Sequence, residues 1–466
     1  MPNVRVKEHA QVRVGVPYLR VLFVCTHRIM QRRRKLTSDG SATTDMQNKN
    51  SNLHSKTAPL QSKLDGKLLQ SVEASLVIGI TLRVLCYIYM QPFLLKRAEL
   101  TSPQVSYRRL QDGIAMYRDE ISPYQGDLFH FQPLLLRLFS FVDLSEKTTF
   151  AMYVLFDSLT ALLLSVSARL YAEENGSADS QHVLRTVFKC YFLNPIPVAS
   201  VAVLSLSVIH NLIIAGIVYF FCSGLIVPCI MLLCVSASLS IYPIIIVAPI
   251  LIRFPYLQER LLTIGGLLLG FVIMLITSWV SNHMNWDFID DTYGFILRVD
   301  DLTPNVGLVW YFFTQVFEHF RTFYLMVFQI NLLVYVIPLL LGLRKDAHLH
   351  LVISLLLVAV FSSYPTLNDA SVYMALLPML EKYRKYPRYT LTVAGTIVTC
   401  VILMPVMWHM WIVAGSGNAN FYFAVTLIYN VAQVYIMIDL MFAYFRKEVG
   451  EISASLFTSK TNFILH

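Results

Sequence analysis

Five blocks of nearly unbroken apolar residues set the pattern of this chain: Ala74–Met90, Leu225–Ile252, Leu261–Val280, Leu325–Leu343 and Leu391–Val413. Each approaches or exceeds the roughly 20 residues that a helix needs to cross a bilayer. A single block could be a signal sequence, but five cannot. Shorter apolar stretches at Pro133–Val142 and Thr148–Tyr171 add further spans. The pattern predicts an all-α polytopic membrane protein of about ten to twelve transmembrane helices.

Prolines punctuate the apolar run that starts at Val187, in Asn194-Pro195-Ile196-Pro197, Tyr242-Pro243, Tyr364-Pro365, Pro378 and Pro405. Proline removes a backbone donor and breaks a helix. At membrane depth such breaks are tolerated only inside protein or along a cavity, so a cavity reachable from lipid is expected here.

Two polar stretches stand out, residues 100–131 and 281–305. In the first, Leu110, Ile114 and Tyr117 recur at helical spacing, which predicts an amphipathic helix lying on the membrane. The turn Ser122-Pro123-Tyr124-Gln125-Gly126 closes it. The second mixes Trp286, Phe288, Tyr293 and Phe295 with Asp287, Asp290, Asp291, Asp300 and Asp301, as expected of a segment at headgroup level.

Composition sharpens this reading. Hydrophobic residues make up 56% and charged residues 14% of the chain, against about 25% charged in soluble domains. The mean hydropathy is +0.57. The net charge of +8 is local. Residues 1–72 hold thirteen Lys and Arg against four Asp and Glu, a net of +9, and leave −1 for the rest. A basic arm rich in Ser, Thr, Asn and Gln ahead of the first span reads as a disordered cytosolic extension that sets topology. Both polar stretches then face the lumenal side. The domain reading is an arm over 1–72, a multi-span domain over 73–446 and a short tail over 447–466. The seven cysteines form no C-x-x-C pair, and five lie in apolar blocks, so no disulfide framework or zinc site is expected.

Three clusters compete as the site. Asp119-Glu120 with Asp127 and His130 could serve as a base or hold a metal, but the cluster lacks a D-x-D and reads more simply as a solvated helix face. Asn285-Trp286-Asp287-Phe288 is either an interfacial anchor or a headgroup contact. Trp408-His409-Met410-Trp411 precedes a short uncharged loop carrying Asn418 and Asn420, and its amides and rings suit a glycan. Within the membrane, Arg83 and Asp157 need partners. Pairing of Asp157 with Arg83 or Arg137 is the structural explanation.

Several strings in order are more specific than any of these motifs. They are ISPYQGDLFHFQPLL, LFDSLTALLL, FLNPIPVAS, SIYPIIIVAPIL, NWDFIDDTYGFILRVDDLTPNVGLVWYFFTQVFEHF, SSYPTLNDASVYMALLP and MPVMWHMWIVAGSGNANFYFAVTLIYNVAQ. From about Val72 to Arg446 the chain resembles the PIG-U family of glycosylphosphatidylinositol (GPI) transamidase subunits; residues 1–72 do not. The resemblance implies a GT-C glycosyltransferase-like bundle in the endoplasmic reticulum membrane. It implies a non-catalytic subunit, without cofactor, that binds and presents the GPI lipid. The chemistry would belong to a cysteine-protease-like partner, PIG-K, alongside PIG-T, PIG-S and a metallopeptidase-like GPI-attachment subunit. Carried over by matching strings, GPI contact falls to Trp286, Asp287, Phe288, Asn418 and Asn420. The alternative is a GT-C-type mannosyltransferase acting on GPI precursors, with Asp119 or Glu120 as base.

Overall fold

Where the apolar runs are long the helices are long, and where proline intrudes they shorten. The structure, a computed structural model, describes residues 54–141, 145–177 and 179–453, with side chains from Val72 to Glu451. The cytosolic, disordered reading of the basic arm concerns mainly residues outside the described ones, and so does most of the tail. The chain divides into two compact units, residues 1–67 and 68–466, and the second holds the helical bundle.

Among the described residues every regular element is helical. The helices are α1 (His54–Leu94), α2 (Tyr107–Arg118), α3 (Pro133–Phe141), α4 (Glu146–Glu174), α5 (Ser180–Phe192), α6 (Pro195–Ala202), α7 (Ser207–Ser223), α8 (Ile226–Leu239), α9 (Val247–Arg253) and α10 (Leu257–Ser281). They continue as α11 (Phe295–Arg298), α12 (Val309–Gln315), α13 (Glu318–Gly342), α14 (Ala347–Phe361), α15 (Asp369–Leu376), α16 (Thr390–Trp408) and α17 (Ala419–Ser453).

Six of these are long and apolar enough to cross a membrane, rather than the ten to twelve expected: Val72–Leu94, Glu146–Glu174, Leu257–Ser281, Glu318–Gly342, Thr390–Val413 and Ala419–Glu451. Four shorter apolar helices, Ser207–Ser223, Ile226–Leu239, Tyr242–Arg253 and Ala347–Phe361, lie among them. The difference comes from broken helices. Asn194 ends one path and caps the next, its Oδ1 accepting from the Ile196 amide at 3.0 Å. Tyr242-Pro243 opens a tight turn before α9. Leu377-Pro378 ends α15 in another.

α4 is the central post, packed against α5 and α7. Its Asp157 is wholly buried and pairs with the equally buried Arg83 of α1, which settles the choice between Arg83 and Arg137. Arg83 Nε donates to Asp157 Oδ2 at 2.9 Å, and its Nη1 donates to the carbonyls of Gly79 at 2.9 Å and Phe192 at 3.0 Å. Tyr191 donates to the other carboxylate oxygen at 2.9 Å. The guanidinium lies 3.9 Å from the Phe192 ring centroid. Gly79 lets α1 approach this closely, because any side chain there would collide with that ring.

The segments between helices gather at two ends. One, the polar–aromatic end, holds residues 95–131, 282–308, 363–368 and 409–418, cross-linked by contacts such as Arg109 Nη2 to Asp301 Oδ2 at 2.8 Å and Arg97 Nη1 to the Pro405 carbonyl at 3.1 Å. The other is rich in Lys and Arg. There Arg253 pairs with Glu174, Lys382 with Asp346 at 2.7 Å, and Lys345 with Glu448.

At the polar–aromatic end α2 forms as expected, and its apolar face is covered by protein. Leu110 is fully buried, and Ile114 and Tyr117 pack with it on a cluster around Phe129, Leu136 and Phe288. Asp439, near the end of the last span, accepts from the backbone N–H of Arg388 and of Tyr389 at 3.4 and 2.9 Å.

Removing one partner of a buried ion pair costs about 3–5 kcal/mol, whereas replacing both with apolar groups is often neutral. Asp157→Asn is therefore expected to lower the thermal unfolding midpoint of the detergent-solubilised protein. The double variant Arg83→Leu/Asp157→Leu should lose less than either single change. Equal or greater loss in the double variant would contradict this account.

Candidate functional site

The polar–aromatic end is built on two places where the helical backbone departs from its regular repeat. Asp290–Gly294 and His409–Val413 are each a π-helical turn, one following Asp287 and the other preceding Asn418. Such turns are rare and are found frequently at functional sites. Five described non-glycine residues have left-handed backbone, and three of them, His283, Met284 and Val299, flank the first π turn. Backbone strain of about 1–3 kcal/mol per residue persists only where surrounding contacts enforce it. Here Arg321 Nη2 donates to the Val299 carbonyl at 3.0 Å, and Met284 N donates to the Trp279 carbonyl at 3.0 Å.

The expected contact residues divide into two groups on separate apolar clusters. In the first, Trp286 is 47% exposed and stacks between Trp279, with centroids 5.6 Å apart, and Phe288, at 6.1 Å. Asp287 is exposed and held in an Asx turn, its carboxylate accepting from the Asn285 amide group and its N–H donating to Asn285 Oδ1 at 3.3 Å. Phe288 departs from the expectation. It is fully buried against Tyr124 and Trp286, so it braces the turn instead of offering a surface.

In the second group, Asn418 and Asn420 sit at the start of α17, both exposed and joined in one hydrogen-bonded turn. Asn418 Oδ1 accepts from the amides of Asn420 at 3.0 Å and Phe421 at 3.4 Å, a helix N-cap. This commits its oxygen and leaves its amide N–H groups to face outward. Asn420 Oδ1 accepts from the Tyr311 hydroxyl at 2.5 Å, and Tyr311 stacks on Phe423 at 4.1 Å. Trp310 and Trp408 frame the same cluster, with Trp411 between them. The stretch 282–315 links the groups, starting beside Trp286 and ending with Tyr311 bound to Asn420.

Three further participants are missed or misread from sequence. His130 stacks on Phe295 at 3.5 Å and reaches the carbonyls of Asp291 at 2.9 Å and Asp127 at 3.1 Å. Desolvation pushes its pKa below the ordinary histidine value, against the pull of the two carbonyls. Asp301 is pushed up by burial, but hydrogen bonds from Thr303 and Arg109 win and leave its pKa lowered. Glu99 is 2% exposed, and neither carboxylate oxygen has a hydrogen-bond partner among the described residues. Burial pushes its pKa up. Its backbone carbonyl accepts from Leu367 at 3.0 Å, beside Arg97 and Tyr422. Nothing in the pattern of residues 95–106 marks Glu99 as buried. Asp119 and Glu120, in contrast, are exposed at the C-terminus of α2, as a solvated helix face predicts.

Asp291 of this end is shifted toward neutral pH. Desolvation, then the charges of Asp290 and Asp287, raise it from 3.8 to about 6. A raised carboxyl pKa means that the folded state holds the proton more tightly than the unfolded chain. Stability from this group is therefore full below about pH 4 and is lost as pH rises through about 6. Asp291→Asn is expected to flatten the decline of the unfolding midpoint between about pH 4 and 6 and to raise the midpoint at pH 7. An unchanged pH profile would remove Asp291 as its source.

A family model described as "GPI transamidase subunit PIG-U" matches residues 77–429. "GPI-anchor transamidase component PIGU" of Mus musculus is 31% identical over 406 residues, covering 80% of this chain and 93% of that protein. The Homo sapiens protein of the same description is 31% identical over 405 residues, with the same coverage. "GPI transamidase component GAB1" of Saccharomyces cerevisiae is 28% identical over 361 residues, covering 77% of this chain and 90% of that protein. The match takes in both π turns, Trp286–Phe288 and Asn418–Asn420, and on it the chain belongs to the PIG-U family of GPI transamidase subunits.

Proposed function

We propose that this chain is the lipid-presenting, non-catalytic subunit of a GPI transamidase, and that its polar–aromatic end holds the GPI headgroup. The observation that carries this reading is the pairing of exposed polar groups with π-helical turns at one end of an apolar bundle. Asp287 and Trp286 stand at one turn and the Asn418 amide at the other. A glycan offers hydroxyls to neutral amides and carboxylates, and its ring faces to aromatic side chains. Its acyl chains would enter the apolar surfaces of the bundle beside them. The gain for the partner subunit that carries the chemistry is proximity. An amine held near the acyl group to be transferred no longer depends on chance encounter.

The orientation follows from charge. Arg253, Arg344, Lys345, Lys382, Arg384, Lys385, Arg388, Arg446 and Lys447 gather at the basic end, which by the positive-inside rule is cytosolic. All five tryptophans, Trp279, Trp286, Trp310, Trp408 and Trp411, belong to the opposite end, which is then lumenal. On this reading the chain is a multi-pass protein of the endoplasmic reticulum membrane, with PIG-K, PIG-T, PIG-S and a metallopeptidase-like GPI-attachment subunit as partners.

Because Asn418 also caps α17, one substitution cannot separate binding from capping. Asn418→Lys is expected to lower GPI attachment by about tenfold without dissociating the complex, the size of one lost charge-free hydrogen-bond pair and cap. Asn418→Ser keeps a capping oxygen and loses the amide, and it should lower attachment comparably. Full activity in the serine variant would reduce the residue to a cap and overturn its role in headgroup binding. The orientation has its own test. Asn175-Gly176-Ser177 lies beside Glu174 at the basic end, so Asn175 should carry no glycan, whereas a sequon installed by Gln125→Asn/Asp127→Thr should be modified. The reverse pattern, read by endoglycosidase shift, would invert the topology.

A further inference from the structure

The basic end carries a groove that the proposed function does not use. It lies between the turn after α15 and the α16–α17 hairpin and has a volume of about 420 Å³. Its walls are apolar, formed by Leu377, Leu380, Val393, Ile397, Val398 and Leu440. This volume lies within the range of small-ligand sites, about 300–1,000 Å³.

The charges at its mouth are already partly assigned. Lys382 is engaged with Asp346 at 2.7 Å, and Tyr383 donates to the same carboxylate at 2.6 Å. Asp439, which lines the groove, is occupied by the backbone N–H groups of Arg388 and Tyr389. Arg388 stacks over Phe442 at 3.8 Å. Arg384 is 76% exposed, and its carboxylate neighbour Glu381 is 4.0 Å away, at the limit of an ion pair. Lys385 beside it is exposed. An apolar slot in the hairpin therefore opens onto Arg384, with Lys385 and Arg388 exposed nearby in sequence, against Glu381 at the mouth and an Asp439 already held by two backbone N–H groups.

We infer that this groove holds one anionic phospholipid from the leaflet at the basic end. An acyl chain would run along Val393–Val398 and the phosphate would sit at Arg384 and Lys385. The charge complementarity selects an anionic headgroup over a zwitterionic one, and the apolar slot selects a lipid over a soluble phosphate. This lipid site is separate from headgroup presentation at the opposite end and stands or falls independently of it.

The test uses the full chain in its complex, delipidated in mild detergent and titrated with phosphatidylserine or phosphatidylcholine under native mass spectrometry. One equivalent of phosphatidylserine should be retained, at least about tenfold more tightly than phosphatidylcholine. Arg384→Glu/Lys385→Glu should abolish the preference. Ala394→Trp, which fills the groove and leaves the charges, should abolish retention of both lipids. Equal retention of the two lipids by the unaltered complex would overturn the inference, as would unchanged phosphatidylserine binding in both variants. A partner helix cross-linked into the groove in place of lipid would also overturn it. GPI attachment measured in the same variants separates this site from the headgroup site, since it should persist where phosphatidylserine retention is lost.

Discussion

Inside a bilayer every backbone N–H and C=O must find a partner within the protein, and this one constraint organises the whole bundle. An unbroken helix meets it alone, which is why α10 can stand with most of its surface apolar and outward. A helix broken by proline does not, so the breaks at Asn194-Pro195 and Tyr242-Pro243 lie where side chains make up the deficit. Tyr242 shows how. Its hydroxyl meets Ser363 at 2.5 Å and donates to Gln329 at 3.0 Å. Gln329 in turn donates to the carbonyls of Ile296 and Leu297 at 3.2 and 3.0 Å. The break in one segment, the end of α14 and the polar stretch after α10 are thus one hydrogen-bonded unit.

The same logic explains the buried pair of Arg83 and Asp157. Neither charge could remain in an apolar bundle uncompensated. The guanidinium is satisfied by a carboxylate and two carbonyls, and the carboxylate by Arg83 and Tyr191. This set ties α1, α4 and α5 together inside the bundle. Arg83, Asp157 and Tyr191 are thereby engaged with one another in the interior, and the loops carry their polar groups at the two ends. The ends differ in kind: one is rich in Lys and Arg, and the other mixes carboxylates, amides and rings.

The fold class was legible because apolar length is a strong signal, and α1, α4, α10, α13, α16 and α17 are its direct product. The span count was less so. Pro378 and Pro243 announced interruptions, but sequence does not say whether a helix resumes on the same axis or stops short. α2 was placed correctly along the chain, but what covers its apolar face was not legible. Leu110, Ile114 and Tyr117 define an apolar face, and periodicity cannot tell whether lipid or Phe129 will cover it. At the site, the types of residue at Trp286, Asp287, Asn418 and Asn420 drew attention, whereas the burial of Phe288 and Glu99 depends on contacts distant in sequence. The π turns left no mark that single-residue preferences could reveal.

Those π turns bear most directly on how a headgroup would be held. A regular helix aims successive side chains around its axis at a fixed interval. An extra residue in one turn shifts everything after it and frees a carbonyl or amide from the ladder. At His409–Val413 the shift lets the chain leave α16 through Gly415, whose φ is +63°, and re-enter α17 capped by Asn418. At Asp290–Gly294 the shift buries Tyr293 and Thr292 while leaving Asp290 exposed to pair with Arg298 at 2.5 Å. Each irregularity gives up hydrogen-bond regularity at the edge of a membrane, where regularity is otherwise favoured. In both places the product is the same: a short exposed run of polar side chains whose backbone is pinned by aromatic packing from below. Rigid presentation of a few neutral and acidic groups is what recognition of a hydroxyl-rich headgroup requires, and a continuous helix through either position would not supply it.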